Sequence, residues 1–302
     1  MAALTRFDIL DVDELRVRVL VENSIPMGNT QFRALHGLSM LVQSTYEGSR
    51  TNVLWDVGAD PDVLFNNMQE MEIDPGQIDC IALSHNHSDH TGGLPKVIER
   101  IGIPGLPVIA HPAASRVTFT NRPHIRGGAE KDVRKEVIES AGGSFLAVSE
   151  PLEIAPGLFT SGYIERVTGE PTGLRTRVLE PDGTWHEDEV PDDLALVARV
   201  KGEGLVIITG CSHSGIVNII RHCTKITGKK KVSGIIGGFH LASATGDRIA
   251  WTIEEMVKTE PELVASGHCT GFDAEAALRQ AFGKRYRHMT VGAEFVFPQH
   301  KE

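Results

Sequence analysis

Five short apolar runs of this chain each stop at a histidine or a cysteine–histidine pair. Ile81-Ala82-Leu83-Ser84 leads into His85, Val108-Ile109-Ala110 into His111, and Val206-Ile207-Ile208-Thr209-Gly210 into Cys211-Ser212-His213. Ile235-Ile236-Gly237-Gly238-Phe239 leads into His240, and Leu263-Val264-Ala265-Ser266-Gly267 into His268. Apolar runs of this length, many of them β-branched, read as buried strands, which belong to layered α/β proteins. Open sheets of that kind bind ligands at the carboxyl ends of their strands. The pattern therefore predicts imidazoles and a thiol gathered at one sheet edge.

Other runs of strand length are Leu15 to Val21, Leu38 to Val42, Asn52 to Trp55, Leu194 to Val200, Val232 to Ile236 and Glu294 to Phe297, and the run before His85 begins at Ile78. Asp60-Pro61 opens a helix to about Met71, with Asp as N-cap and Pro in its first turn. Further helices are expected near Gly93 to Ile101, Lys131 to Ser140, Ile216 to Lys225, Asp247 to Lys258 and Asp273 to Phe282. The first strands follow one another directly and later ones alternate with helices, so mixed sheets are expected. Glu165 to Pro191 is rich in Gly, Pro, Thr and acidic residues and turns at Pro181-Asp182-Gly183. It reads as a loop or hairpin excursion, of the kind that often serves as a lid. No linker-like run divides the chain, so residues 1–302 are expected to form a single domain.

A formal charge of −10 argues against a phosphate-backbone partner, and Lys229-Lys230-Lys231 reads as a solvated turn. No apolar run approaches the roughly 18 residues that span a bilayer. The N-terminus meets acidic residues too early for a signal peptide, and the four cysteines lack the spacing of a disulfide framework. A reduced, cytoplasmic protein with free thiols is expected.

His85-Asn86-His87-Ser88-Asp89-His90 is the most specific feature. His85 and His87 are two apart, so in an extended loop both rings face one ion. Asp89 and His90 can hold a second, and Thr91-Gly92-Gly93 lets the backbone turn tightly into the next helix. Paired ions roughly 3.5–4 Å apart activate water for hydrolysis. Mixed nitrogen and oxygen donors suit Zn2+ best, with Mn2+ or Fe2+ also able to serve.

Ser84-His85-Asn86-His87-Ser88-Asp89-His90-Thr91-Gly92-Gly93 resembles the His-x-His-x-Asp-His signature of the metallo-β-lactamase-fold superfamily, and Leu54-Trp55-Asp56-Val57-Gly58 resembles the strand end that precedes it. The resemblance implies an αββα four-layer sandwich, two mixed β-sheets flanked by helices with metals at one edge. Four segments are similar to the branch of dihydropterin-ribofuranosylaminobenzene-phosphate synthase-like proteins: His36-Gly37-Leu38-Ser39, Thr209 to Ile216, Gly237 to Leu241, and Gly267-His268-Cys269-Thr270-Gly271.

Carried over residue by residue, the resemblance implies a first ion on His85 and His87 and a second on Asp89, His90 and His268. Cys211 falls where the superfamily places a bridging aspartate and is either a thiolate ligand or a spectator. The superfamily's middle histidine is missing, since Pro156-Gly157 is followed by Leu158. Either His213 substitutes for it or the first site is weaker. His36, His111, Tyr163, Arg166 and Cys269 are candidate pocket residues. His111 is equally readable as a cap and Cys269 as a hydrogen-bonding partner behind His268. Cys80 reads as core, and His124, His186, His222 and His288 as surface.

The activity implied is metal-dependent hydrolysis of a small cyclic amide or ester, a lactam or lactone, with Asp89 orienting water and His240 or His213 protonating the leaving group. The alternatives are a pterin-related transferase, a phosphodiester hydrolase and a non-catalytic metal-binding relative. The implied partners are a small-molecule substrate and, at most, further copies of the chain as a homo-oligomer.

Overall fold

Strand polarity, alternating between two cores, explains the architecture. The computed structural model describes residues 10–120, 126–127, 130–171 and 176–298. It opens with β1 (Glu14–Val21), β2 (Ser39–Tyr46) and β3 (Ser49–Trp55), an antiparallel meander. β2 and β3 run longer than their apolar stretches predict. Glu47 and Gly48, both at positive φ, close them into a tight hairpin whose outer half is polar. Helix α1 (Pro61–Glu70) starts as expected, the Asp60 side chain accepting from Asp62 N.

β4 (Cys80–Ala82) then pairs parallel to β3. The run after it carries the one-turn helix α2 (Ser88–Thr91) and, beyond Gly92 and Gly93, α3 (Leu94–Ile101). A Cβ on Gly92 would lie 2.4 Å from the Ala59 carbonyl oxygen, so only glycine lets the histidine loop lie against the turn after β3. β5 (Leu106–Ala110) continues the parallel order. β6 (Thr118–Thr120) and β7 (Arg126–Gly127) follow outside that sheet.

The helix expected over Lys131 to Ser140 is broken. A 3-10 turn covers Glu130–Val133, Arg134 is extended, and α4 spans Lys135–Ser140. β8 (Gly143–Ala147) ends the first sheet, and β9 (Glu153–Ala155) and β10 (Leu158–Thr160) begin the second. The excursion from Glu165 to Pro191 contains a hairpin, β11 (Arg177–Leu179) and β12 (Trp185–Glu187), paired through β11 to β6 in a small third sheet. β13 (Ala195–Val200), β14 (Gly204–Thr209), α5 (Ile216–Thr227), β15 (Val232–Gly237), α6 (Gly246–Val257), β16 (Leu263–Ser266), α7 (Phe272–Phe282) and β17 (Tyr286–His288) alternate strand and helix. β18 (Glu294–Phe297) returns to pair with β1.

The first sheet runs β18-β1-β2-β3-β4-β5-β8 and the second β17-β16-β15-β14-β13-β10-β9. Alternate residues of each strand serve different cores. Val206 and Ile208 face the core between the sheets with Val42, Trp55 and Ala82. Leu205 and Ile207 face the core under α5, α6 and α7. Leu54 and Ile81 meet Leu64, Val97 and Ile98 beneath α1 and α3. This is the expected four-layer order. Cys80 lies in the inter-sheet core, where burial pushes its thiol up to about 12. Among the described residues no helix is long and apolar enough to cross a membrane.

Candidate metal centre

The parallel strands β3, β4, β14, β15 and β16 deliver Asp56, His85, Cys211, His240 and His268 from their carboxyl ends. Asp56, Ser212, His240 and His268 all sit at positive φ, a strained backbone costing about 1–3 kcal/mol at each non-glycine position. The sheets' packing holds that strain where the side chains must turn inward.

Three imidazoles are held from behind so that Nε2 faces the centre. His90 Nδ1 donates to buried Asp56 Oδ2 at 2.7 Å. The Ser84 hydroxyl donates to the same oxygen at 2.7 Å, so its own oxygen accepts from His85 Nδ1 at 2.9 Å. His268 Nδ1 faces Asn23 Oδ1 at 3.2 Å, and its backbone N–H is taken by the buried Glu22 carboxylate. Partners of this kind fix the tautomer and aim of a metal-binding imidazole.

The inward atoms converge. His85 Nε2 lies 2.9 Å from His87 Nδ1, and His90 Nε2 lies 3.0 Å from Cys211 Sγ. Asp89 Oδ2 is 3.2 Å from His268 Nε2 and 3.7 Å from His90 Nε2. Among the described residues three donor sets able to hold an ion result: Asp89, His90, Cys211 and His268; His85, Cys211 and His213; and Cys211, His240 and Cys269. Within each set the donor atoms lie within 4.8 Å of one another, and the Cys211 sulfur belongs to all three. The His213 ring lies 4.8 Å from those of His85 and His87 and 4.3 Å from that of His240. It therefore stands between the first histidine pair and His240.

Charge is arranged to match. Burial alone would raise Asp89, but His90, His268 and His87 hold it below the usual carboxylate range. Burial pushes His85 far down, so it is neutral, the form that ligates. Burial also opposes the charge on His90, but Asp89 and Asp56 outweigh it and raise the imidazole to about 9. Burial keeps the Cys211 proton on its sulfur. Hydrogen bonds from Cys211 and His240 outweigh burial at Cys269 and pull that thiol down.

Several anchors were not singled out from the sequence. Asp192 Oδ2 accepts from Asn86 N and its Oδ1 pairs with Arg116, both fastening the first histidine loop. Asp193 Oδ2 accepts from Ser214 N at 2.7 Å and fastens the loop of Cys211 and His213. Adjacent aspartates directly before the apolar run Leu194 to Val200 were the available signal, since a charge pair there needs buried partners.

The expected pocket residues divide. His36 stacks on His268, with centroids 5.0 Å apart, and reaches Asp89 Oδ2 at 3.4 Å, its side chain 70% exposed. Cys269 joins a donor set. His111 instead caps a turn, its Nδ1 accepting from Ala113 N at 3.1 Å. Tyr163 is exposed 6.4 Å from the His111 ring, and Arg166 donates to the Glu189 carbonyl. His111, Tyr163 and Arg166 do not line either of the two cavities, of about 410 and 390 Å³, beside the cluster. His222 is half-buried rather than surface, its Nε2 at 3.0 Å from the Ser161 carbonyl oxygen. His186 and His288 are exposed as expected, and His124 lies outside the described residues.

Among the described residues, cavities beside the cluster include two that share no lining residue. One, about 410 Å³, is bordered by His87, Ser88, Asp89, Thr118, Lys131 and Thr176. The other, about 390 Å³, is bordered by Pro171, Ser212, Phe239, His240, Thr245 and Arg248. The excursion contributes to both walls. Its start is anchored by the buried Glu170 carboxylate, which pairs with Arg248 and accepts from Asn218 N at 3.1 Å.

The donors fit metal ions. Nitrogen, oxygen and sulfur atoms meet with no apolar filler between them, and the imidazoles are held in ligand tautomers. Ligation must displace the proton that His90 holds to about pH 9. Metal affinity should therefore climb about tenfold per pH unit from pH 7 to 9 for that one proton. The same proton stabilises the metal-free fold at low pH, a contribution lost as pH rises through about 9. Calorimetric titration with Zn2+ across this range tests it, and a flat affinity contradicts it.

A model of the metallo-β-lactamase superfamily matches residues 33–268. The chain belongs to the metallo-β-lactamase superfamily. Within it, a 7,8-dihydropterin-6-methyl-4-(β-D-ribofuranosyl)-aminobenzene-5'-phosphate synthase of Methanocaldococcus jannaschii is 35% identical over 95% of this chain and 98% of its own length. A solved metal-dependent hydrolase of the β-lactamase superfamily is 28% identical, with a TM-score of 0.77 over 93% of this chain and 98% of that one. A diphosphatase of the PhnP family shares the fold at 16% identity, with a TM-score of 0.53 over 95% of this chain and 98% of that one. Members of this superfamily bind metal ions, as the donor sets here are arranged to do.

Proposed function

We propose that this protein is a metal-dependent hydrolase acting on a small cyclic amide or ester. The observation that carries the reading is the pair of donor sets sharing Cys211, with Asp89, a member of one set, lining a cavity of about 410 Å³. His85 and His213, with His87 beside them, would hold a first ion, Asp89, His90 and His268 a second, and Cys211 belongs to both donor sets. Zn2+ suits these donors best, Mn2+ and Fe2+ less well.

When bound, the ions supply water activation and Lewis acidity. The chain's own groups do the rest. Asp89 Oδ2 orients the attacking water and relays its proton to the departing atom. Asp56 holds the Nδ1 proton of His90 and Asn23 that of His268, so neither ring rotates during turnover. Thr118 and Thr120 of β6 and Thr176, just before β11, line the cavity that would receive the substrate.

Chelation should abolish turnover of a lactone and lactam panel, and added Zn2+ or Mn2+ should restore it. Full activity in metal-free protein would end the hydrolase reading.

The 35% identity to the synthase favours a second reading, a transferase joining a dihydropterin methyl group to a ribofuranosyl-aminobenzene phosphate. Two separate cavities on one cluster suit two substrates. Incubating the metal-loaded protein with both substrate types, and separately with the hydrolysis panel, discriminates between the readings.

A further inference from the structure

The two ions of the proposed pair leave one donor set unused. Cys211, His240 and Cys269 bring two sulfurs and a nitrogen within 4.8 Å of one another. They arrive from the ends of β14, β15 and β16, three neighbouring parallel strands, so the sheet itself sets their spacing. Zinc with bonds of about 2.3 Å to sulfur and 2.0–2.1 Å to nitrogen needs tetrahedral donors roughly 3.5–3.8 Å apart, a spacing within that spread.

The surroundings are built around the Cys269 sulfur. The His240 backbone N–H donates to it at 3.3 Å, and it lies 3.6 Å from the Cys211 carbonyl oxygen. A Cβ on Gly238 would stand 2.7 Å from the sulfur and 2.8 Å from the Gly210 carbonyl oxygen. Glycine at 238 is therefore what admits the thiol to the cluster. On the other side, His240 Nδ1 is buried and accepts or donates no hydrogen bond among the described residues. A polar atom so placed costs roughly 1–3 kcal/mol unless something satisfies it. Ser212 and His240 also border the cavity of about 390 Å³, which gives this corner its own opening.

We propose that Cys211, His240 and Cys269 form a further metal position beside the pair, selective for a thiophilic ion such as Zn2+. Its fourth valence faces the second cavity. Two sulfurs, one imidazole and an open place make a site for a Lewis acid rather than a closed structural site. A carbonyl or phosphoryl oxygen of a ligand in that cavity would complete it. The inference rests on the metal-pair reading, because Cys211 is shared, but its test separates the two.

The full-length protein is loaded with Zn2+, freed of excess metal and counted by mass spectrometry of the metal. Wild type should hold three ions per chain, and Cys269→Ser and His240→Ala should each hold two. Two ions in wild type, or an unchanged count in both variants, overturns the further site and leaves the pair standing. No ions in wild type overturns both. In the Co2+-loaded protein, Cys269→Ser should lose roughly half of the near-ultraviolet thiolate-to-cobalt absorption, since one of two sulfur donors is gone. Should either variant fail to fold, alkylation of wild type decides. Cys269 is partly exposed, and its reaction with iodoacetamide should fall when the third equivalent of Zn2+ is added. Alkylation of Cys269 that no amount of Zn2+ slows also overturns the proposal.

Discussion

Exchanging Cys211 for serine should strip the protein of most of its metal and with it all measurable turnover. The sulfur belongs to every donor set, so its loss weakens each ion at once. Losing an outer partner of a ligand typically costs 10–100-fold in affinity or activity, and losing a shared ligand should cost more than about 100-fold. Serine keeps the shape but offers a hydroxyl that stays protonated where a thiolate would bind. The residue is 3% exposed, so no water can move in to replace it easily. Metal counting after dialysis, with circular dichroism to confirm the fold, reads the result. A Cys211→Ser protein that retains two ions at wild-type affinity would make the thiol a spectator.

The second large effect is expected at a residue that need not touch metal. Asp56 takes hydrogen bonds from Ser84 N, the Ser84 hydroxyl and His90 Nδ1, all at 2.7 Å. In Asp56→Asn, one acceptor oxygen becomes an N–H donor. If it faces His90, the ring must turn its other tautomer and place a proton on Nε2, where an ion should bind. If it faces Ser84 N, two donors meet and the strand end after β4 shifts. Metal affinity should fall by about 10–100-fold. Breaking a buried charged pair from one side should cost the metal-free fold about 3–5 kcal/mol. Because Asp56 helps hold the His90 proton to about pH 9, the pH dependence of metal affinity should also move to lower pH in the variant. A merely structural role would lower the melting temperature without moving that profile.

Much of the site was legible because strand ends are legible. An apolar run that stops at a histidine marks both a buried strand and the place where its backbone leaves the core, and β4, β14, β15 and β16 all behave so. His85 and His87 face together because residues two apart in extended chain share a side. Less legible were the surroundings of residues whose neighbours lie far along the chain. His111 ends a strand like the others, yet its ring folds back on Ala113 N because Pro112 starts a turn immediately. Tyr163 and Arg166 looked close to the lid, but Asn218 Oδ1 accepts from Val167 N and Thr168 N and draws that stretch onto α5. Asp192 and Asp193 look like solvated loop residues until their buried partners, 106 and 21 positions away, are seen.

The sequence by itself determined the layers and the donors. The layers follow from continuous apolar runs that must be buried on both faces, and the chemistry of His85, His87, Asp89, His90 and His268 follows from their type and spacing. Only the tertiary structure decided how Cys211, His213, His240 and Cys269 relate, because they come from three strands whose order and register no local pattern encodes. Sheet pairing sets β14, β15 and β16 side by side, and with them one sulfur at the meeting point of three donor sets.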